Sequence, residues 1–239
     1  MKMGLQGIGY KLDIVFVIDA TGSMTPIMNQ VKANALTLGD RICDEMKSAN
    51  KPVDELRLRV IDFADFASEG DEAIRLSDFY KMPEEKSAFE KRVNDIDIEM
   101  RGGDIPENGL EALFAAINSD WVKISAGEKG RHIIVLMTDA VPLNLQERAG
   151  CVGYNADEYP SNIEELTEIW NADAQSTTTK LSPTKKRLIV YAPAGKDAQG
   201  HTWDDVTSWE WVTGATVDPS TGLEGIDLSV IIAEIVRSA

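Results

Sequence analysis

The chain has 239 residues, of which 40 are acidic and 24 are basic, for a formal net charge of −16. This length suits one large α/β domain with insertions, and no basic run is present to bind a nucleic acid backbone. The longest apolar segments are too short to cross a bilayer. We therefore expect neither a nucleic acid partner nor a membrane partner.

The first residues, MKMGLQGIGYKLD, lack the apolar core of a signal peptide. The two cysteines, Cys43 and Cys151, are far apart in the sequence, and neither belongs to a CxxC motif. Free thiols suit a reducing compartment. The sequence therefore predicts a cytoplasmic protein.

The first half of the chain alternates predicted strands with predicted helices. Residues 12–18, LDIVFVI, are a continuous β-branched run typical of a strand buried in a parallel sheet. The turn DATGS precedes an amphipathic helix over about 25–47, whose apolar residues recur every three or four positions. Alternation at 56–61 predicts a second strand nearer the sheet edge. A further strand is predicted within 73–79 and a helix over 84–93.

The second half continues the alternation. The Gly-rich loop RGGDIPEN precedes a predicted helix over 109–117, and the strand HIIVLM at 132–137 ends in TDAVP. The remaining predicted elements are a helix over 162–170, a strand over 187–191, a helix over 204–212, a strand over 215–217 and a closing helix over 227–237.

Alternating strands and helices predict the fold class. We expect an α/β protein with a doubly wound, mostly parallel central sheet and helices on both faces. We also expect a single domain over residues 1–239, with its core at about 11–237. The polar stretch at about 173–186 is interpreted as a loop insertion.

Oxygen-bearing side chains follow two of the predicted strands. The first strand ends at Asp19, with Thr21 and Ser23 at alternate positions of a tight turn, and the later strand ends in Thr138 and Asp139. Ligands of open α/β sheets bind at the carboxyl ends of the strands. Hard oxygen ligands suit Mg²⁺, Mn²⁺ or Ca²⁺ rather than zinc or copper. The sequence therefore predicts a divalent cation site at this edge of the sheet.

The segment FVIDATGSM resembles the metal-ion-dependent adhesion site of von Willebrand factor A domains, of the type found in bacterial and intracellular proteins. Asp19, Thr21 and Ser23 match the first part of that motif, with Thr in place of its first Ser, and Asp139 in VLMTDA matches the last part. Asp104, in RGGDIPENGLEAL, falls where the central residue belongs. The resemblance covers roughly residues 11–237. It implies a Rossmann-like fold and a metal site formed by these five residues.

The resemblance implies a binding module rather than an enzyme, with no catalytic residues. One divalent cation, Mg²⁺ in preference to Mn²⁺ or Ca²⁺, would coordinate an oxygen of a partner protein. Asp104 departs from the Thr that is frequent at this position, and a third carboxylate adds negative charge beside the ion. We therefore expect a water-bridged Asp104, a preference for Ca²⁺, or a partner that donates a neutral oxygen instead of a carboxylate.

Two other functions stay open on the sequence. DATGS also resembles the phosphoaspartyl motif of haloacid dehalogenase-like phosphatases, in which Asp19 would be the nucleophile of an Mg²⁺-dependent phosphotransfer. That family needs a later acidic pair and a lysine, and the sequence offers only one acid after the later strand. The third possibility is a scaffold whose metal site is vestigial. Asp62 and Asp65, near the end of another strand, are candidates for a supporting role at the same edge.

Overall fold

A computed structural model of the chain describes residues 9–98, 106–173, 179–218, 223 and 226–239. Within these ranges one sheet of seven strands forms the centre of the molecule. The strands are β1 (Tyr10–Asp19), β2 (Val53–Phe63), β3 (Ile74–Leu76), β4 (Tyr80–Met82), β5 (Gly130–Met137), β6 (Lys186–Ala192) and β7 (Val212–Thr216). The helices are α1 (Thr25–Ser48), α2 (Phe66–Glu69), α3 (Lys86–Asn94), α4 (Gly109–Ile117), α5 (Ile163–Asn171), α6 (Asp204–Thr207) and α7 (Leu228–Ser238).

The strands lie in the order β3-β2-β1-β5-β6-β7, and β4 also pairs with β2. The pairings among β1, β2, β5, β6 and β7 are parallel, whereas β3 and β4 run antiparallel to β2. The order of the strands reverses between β1 and β5, which is the point where open α/β sheets bind their ligands. The predicted fold class is confirmed.

Each face of the sheet is covered by its own hydrophobic layer. Helices α1, α3 and α7 pack on one face and contact alternate β1 residues such as Leu12 and Ile14. Helices α4 and α5 pack on the other face, against the intervening residues Val15 and Val17. Because both faces of β1 are buried, its residues 14–18 form a continuous apolar run and lack the alternation of a half-exposed strand.

The segment from residue 204 to 217 differs from the prediction. The predicted helix over 204–212 is only the short α6, and the strand β7 begins at Val212, earlier than the predicted 215–217. Trp209 is buried and stacks on Trp170 with 5.5 Å between ring centroids. Trp211 adopts φ 67°, a left-handed conformation that a helix cannot continue through. Tertiary packing of the indole rings thus overrides the local helical pattern.

The strand predicted within 73–79 is also shorter and is followed by a second one. β3 ends at Leu76, and β4 pairs with β2 through the register of Leu56 with Met82. A three-residue strand gives too little alternation to be predicted from the sequence. In the loop predicted at 173–186, residues 174–178 lie outside the described residues, and Lys186 already belongs to β6.

The cysteines are unpaired, as expected. Cys43, on α1, packs against the hydrophobic layer formed with α3 and α7, and Cys151 packs against a small aromatic cluster. Among the described helices, each is either too short or too polar to cross a bilayer.

A carboxylate lies deep in the layer formed by α4. Glu111 is fully buried, and its Oε1 accepts a hydrogen bond of 3.0 Å from Tyr154 Oη. Burial raises the pKa of Glu111 to about 7; the neighbouring Asn108 side chain and the hydrogen bond from Tyr154 lower it only in part, and the charge of Asp65 raises it further. Ionised Glu111 is therefore a cost to the folded state near neutral pH.

We expect Glu111→Gln to stabilise the protein at about pH 8 and to change its stability little at about pH 5. The folded-state pKa lies above the usual 4.5, so the unfolding free energy falls as pH rises from 4.5 towards 7. The cost at high pH is roughly 3 kcal/mol, from about 1.4 kcal/mol per pKa unit. Urea denaturation at both pH values measures it, with the exposed Glu45→Gln as control. An equal effect of Glu111→Gln at the two pH values would contradict this interpretation.

Candidate metal centre

The candidate site lies at the carboxyl edge of the sheet, between β1 and β5. Their parallel register pairs Ile18 with Met137, so the next residues, Asp19 and Thr138, leave the sheet side by side. The strand order reverses at this point, and α1 and α4 lie on opposite faces of the sheet. The turn after β1 and the segment after β5 therefore meet in the crevice between the layers.

A continuous chain of oxygen contacts joins four of the five predicted ligands. The backbone N–H of Thr21 donates to Asp19 Oδ1 at 3.0 Å, and Thr21 Oγ1 donates to the same oxygen at 2.7 Å. Thr21 Oγ1 lies 3.3 Å from Ser23 Oγ. Ser23 Oγ in turn donates to Asp139 Oδ1 at 3.0 Å. The fifth predicted ligand, Asp104, lies outside the described residues.

Thr138 belongs to this cluster, although the sequence analysis did not assign it a role in the site. Its Oγ1 donates to Asp19 Oδ2 at 2.7 Å and accepts a hydrogen bond of 3.0 Å from the backbone N–H of Ala140. Thr138 thus holds the second carboxylate oxygen of Asp19 and also shapes the turn that carries Asp139. The signal in the sequence was a hydroxyl residue at the end of β5, the strand paired with β1.

The cluster is buried at one end and open at the other. Asp19 is 0% exposed, Thr21 is 7% exposed, Asp139 is half-buried and Ser23 is exposed. Burial raises the pKa of Asp19 to about 6; its hydrogen bonds from Thr138 and Thr21 oppose this, and the charge of Asp139 adds to it. Burial likewise raises the pKa of Asp139, against the hydrogen bond from Ser23. Two acidic groups therefore lie close together, one buried and one half-buried.

No lysine or arginine in the described part of the chain forms an ion pair with Asp19 or Asp139. The described residues contain no group of three or more His, Cys, Asp or Glu side chains arranged to hold a metal. The candidate metal ligands here are instead two carboxylates and two hydroxyls. This all-oxygen set fits Mg²⁺, Mn²⁺ or Ca²⁺, whose preferred ligands are hard oxygens, and the charge of such an ion balances the two carboxylates.

Asp62 and Asp65, the candidates for a supporting role, are directed towards arginines. Asp62 Oδ2 accepts from Arg75 Nε at 2.9 Å, and Oδ1 pairs with Arg92. Asp65 caps α2 through the backbone N–H of Ala67 and pairs with Arg148. Both carboxylates thus fix the segments that follow β2.

The fold and this edge define the class of the protein as a doubly wound α/β domain with an oxygen cluster at the switch point of its sheet. Neither a family model nor a curated protein sequence matches the chain. Among solved structures, the pilus adhesin SpaC from Lactobacillus rhamnosus GG matches with a TM-score of 0.55 and 12% identity, over 95% of this chain and 31% of the adhesin. The open conformation of SpaC matches with a TM-score of 0.51 and 14% identity, over 95% of this chain and 30% of the adhesin.

A von Willebrand factor type A protein from Catenulispora acidiphila matches with a TM-score of 0.46 and 13% identity, over 96% of this chain and 43% of that protein. The chain spans less than a third of the length of SpaC. The similarity shows that the chain shares the fold of the matched part of SpaC.

We expect Thr138→Val to lower the unfolding free energy by about 1–3 kcal/mol, because Asp19 Oδ2 loses its donor in a buried position. Urea denaturation at neutral pH measures the loss. Thr138→Ser is the matched control: it keeps the hydroxyl and should lose less than half as much. A larger loss in Thr138→Ser than in Thr138→Val would show that packing of the methyl group, rather than the hydrogen bond, is what Thr138 contributes.

Proposed function

We propose that the chain is a metal-dependent protein-binding module with one divalent cation, preferentially Mg²⁺, at the carboxyl edge of its sheet. The observation that carries this proposal is the unbroken series of oxygen contacts from Asp19 through Thr21 and Ser23 to Asp139. The resemblance of the sequence to the adhesion site of von Willebrand factor A domains supports it independently. In the proposal Asp104 is the fifth ligand, either directly or through water.

The residues of the centre divide into a base and a rim. Thr138 and the turn at Thr21 fix the carboxylate of Asp19. This carboxylate forms the buried base and accepts a hydrogen bond from the hydroxyl of Thr21. Ser23 and Asp139 reach the surface, where a partner can approach. A bound cation supplies a positive charge and a coordination position for a carboxylate or neutral oxygen of the partner protein. Affinity then depends on a single coordinated atom, and specificity depends on the loops around the rim.

The surroundings of Asp19 support a ligand-positioning role rather than a nucleophilic one. A phosphoaspartyl nucleophile must reach the phosphorus atom of a bound substrate, so its attacking oxygen has to face an open site. Asp19 is 0% exposed, and both of its carboxylate oxygens accept hydrogen bonds. We therefore propose binding without catalysis in preference to phosphotransfer.

The shared fold with a pilus adhesin is compatible with a binding role, and we extend only that general role to this chain. The free cysteines are the basis for proposing that the module acts in a reducing, intracellular compartment.

We expect the midpoint of thermal unfolding to rise by about 5 °C when Mg²⁺ is present at about 100 times its dissociation constant, since this contributes roughly 2.7 kcal/mol. The measurement is a thermal melt of chelator-treated protein with and without Mg²⁺, Mn²⁺ and Ca²⁺. Asp139→Ala should abolish the shift, because it removes a half-buried ligand without touching the core.

Asp120→Ala is the control for the loss of one negative charge. Asp120 is an exposed aspartate whose carbonyl bonds to Arg57, towards the other end of the sheet, and this variant should keep the full shift. The proposal would be wrong if none of the three ions stabilised the wild-type protein. It would also be wrong if Asp139→Ala and Asp120→Ala responded alike to Mg²⁺.

A further inference from the structure

A cavity of about 310 Å³ opens beside the candidate metal centre. Ser23 and Asp139 form one side of it, and the loop after β6, from Pro193 to Asp197, forms the other. Its volume is that of a small ligand pocket. A partner group that reached an ion held by Ser23 and Asp139 would have its neighbouring atoms in this cavity.

The charges around the cavity are uneven. Lys196 is exposed at its rim, and its ammonium group makes no hydrogen bond or ion pair within the described residues. The nearby Asp197 is bound within its own loop: its Oδ1 accepts hydrogen bonds from the backbone N–H groups of Gln199 and His201 at 2.9 and 2.8 Å. Its Oδ2 lies 2.6 Å from His201 Nδ1. Among the described residues that line the cavity, Lys196 is therefore the cationic side chain, and its ammonium group is free to bind a ligand.

The loop that carries Lys196 is anchored at its far end. His201 Nε2 lies 2.9 Å from Glu147 Oε2, so both ring nitrogens face carboxylates, an arrangement that favours the protonated ring. Although burial favours the neutral ring, the hydrogen bonds to Asp197 and Glu147 raise the pKa of His201 above its usual value. This anchor links the loop after β6 to the segment after β5. Lys196 is thus presented from a preorganised loop, which reduces the entropy lost on binding.

Charge balance at the centre indicates what Lys196 would bind. Asp19 and Asp139 offset a divalent ion, and Asp104, the proposed fifth ligand, adds a further negative charge, so a partner carboxylate on that ion increases an unbalanced negative charge. Ala140, Val141, Pro193 and Ala194 line the cavity between the ion site and Lys196. Apolar walls lower the local dielectric and strengthen the attraction between an ammonium group and a carboxylate. The overall negative charge of the protein is screened beyond about 8 Å at physiological salt and opposes this contact only weakly.

We propose that this cavity is a specificity pocket for an acidic protein segment: one carboxylate of the segment is held at the metal centre, and a second, adjacent carboxylate pairs with Lys196. The inference rests on the proposed metal-dependent binding and adds the chemistry of the partner. Lys196 selects the partner and has no part in holding the metal.

The test uses blocked glycine-rich peptides with one fixed glutamate. The residue one or two positions further on is glutamate, glutamine or lysine. Binding is measured by nuclear magnetic resonance titration of isotope-labelled protein in millimolar Mg²⁺. With at least one of the two spacings, we expect the two-glutamate peptide to bind about fivefold more tightly than the glutamine peptide, in line with a partly screened ion pair. Lys196→Gln should remove this preference, whereas Lys47→Gln, the same change at an exposed lysine near the end of α1, should keep it.

Thermal melts of the same variants in Mg²⁺ separate the two proposals. Lys196→Gln should show the wild-type metal-dependent shift, since Lys196 is not a ligand. The acidic-segment inference alone would be overturned if the metal-dependent shift were normal but the protein showed no preference for the second glutamate. It would also be overturned if that preference survived Lys196→Gln, or if the lysine peptide bound more tightly. Absence of a metal-dependent shift in the wild type would overturn this inference together with the proposed function.

Discussion

The burial of Asp19 is the constraint on which the candidate site depends. β1 is covered on both faces, and the strand delivers a carboxylate to a position with no exposure to water. An unsatisfied carboxylate in such a place would destabilise the fold by several kcal/mol. Donors from Thr21 and Thr138 meet this requirement and fix the two segments that carry them. The geometry of the centre thus follows from the need to provide hydrogen bonds to one buried carboxylate.

Parallel pairing explains why these donors come from distant parts of the sequence. In a parallel sheet every strand ends at the same edge, so β1, β5 and β6 deliver their following loops to one place. Helices on opposite faces keep the space above β1 and β5 free. Asp139 comes from the loop after β5, and Lys196 from the loop after β6. The base of the site is set by strand register and its rim by loop conformation.

This division also explains what the sequence could predict. The apolar run of β1 and the periodicity of α1 and α7 arise because a regular strand or helix buries residues at fixed intervals. These elements were predicted correctly. Strand ends in an open sheet converge, and for this reason the sequence could predict that Asp19, Thr21, Ser23 and Asp139 lie together; their role as metal ligands stays a prediction. The role of Thr138 depends on which strand lies beside β1. The order of strands in a sheet cannot be predicted from the local periodicity of the sequence.

The loops were harder still. Lys196 and Asp197 acquire their positions from a turn closed by His201, and a single exposed lysine in a polar segment carries no sequence signal. The segment around Trp211 was assigned wrongly because the packing of Trp209 on Trp170 decides where the chain turns. Local propensity favoured a helix there, and long-range contacts between aromatic rings prevailed. In both places the deciding interaction joins residues whose relation exists only in the folded chain.

The gradient of exposure across the centre separates stability from binding. Asp19 belongs to the core, so a change there alters the folded state whether or not a ligand is present. Ser23 and Asp139 are accessible; their side chains bond to each other, and Ser23 Oγ also lies 3.3 Å from Thr21 Oγ1. Their surroundings can vary with little cost to the fold, since each exposed polar contact contributes about 1 kcal/mol or less. A domain arranged in this way can keep its buried framework, together with Ser23 and Asp139, while the loops around them change.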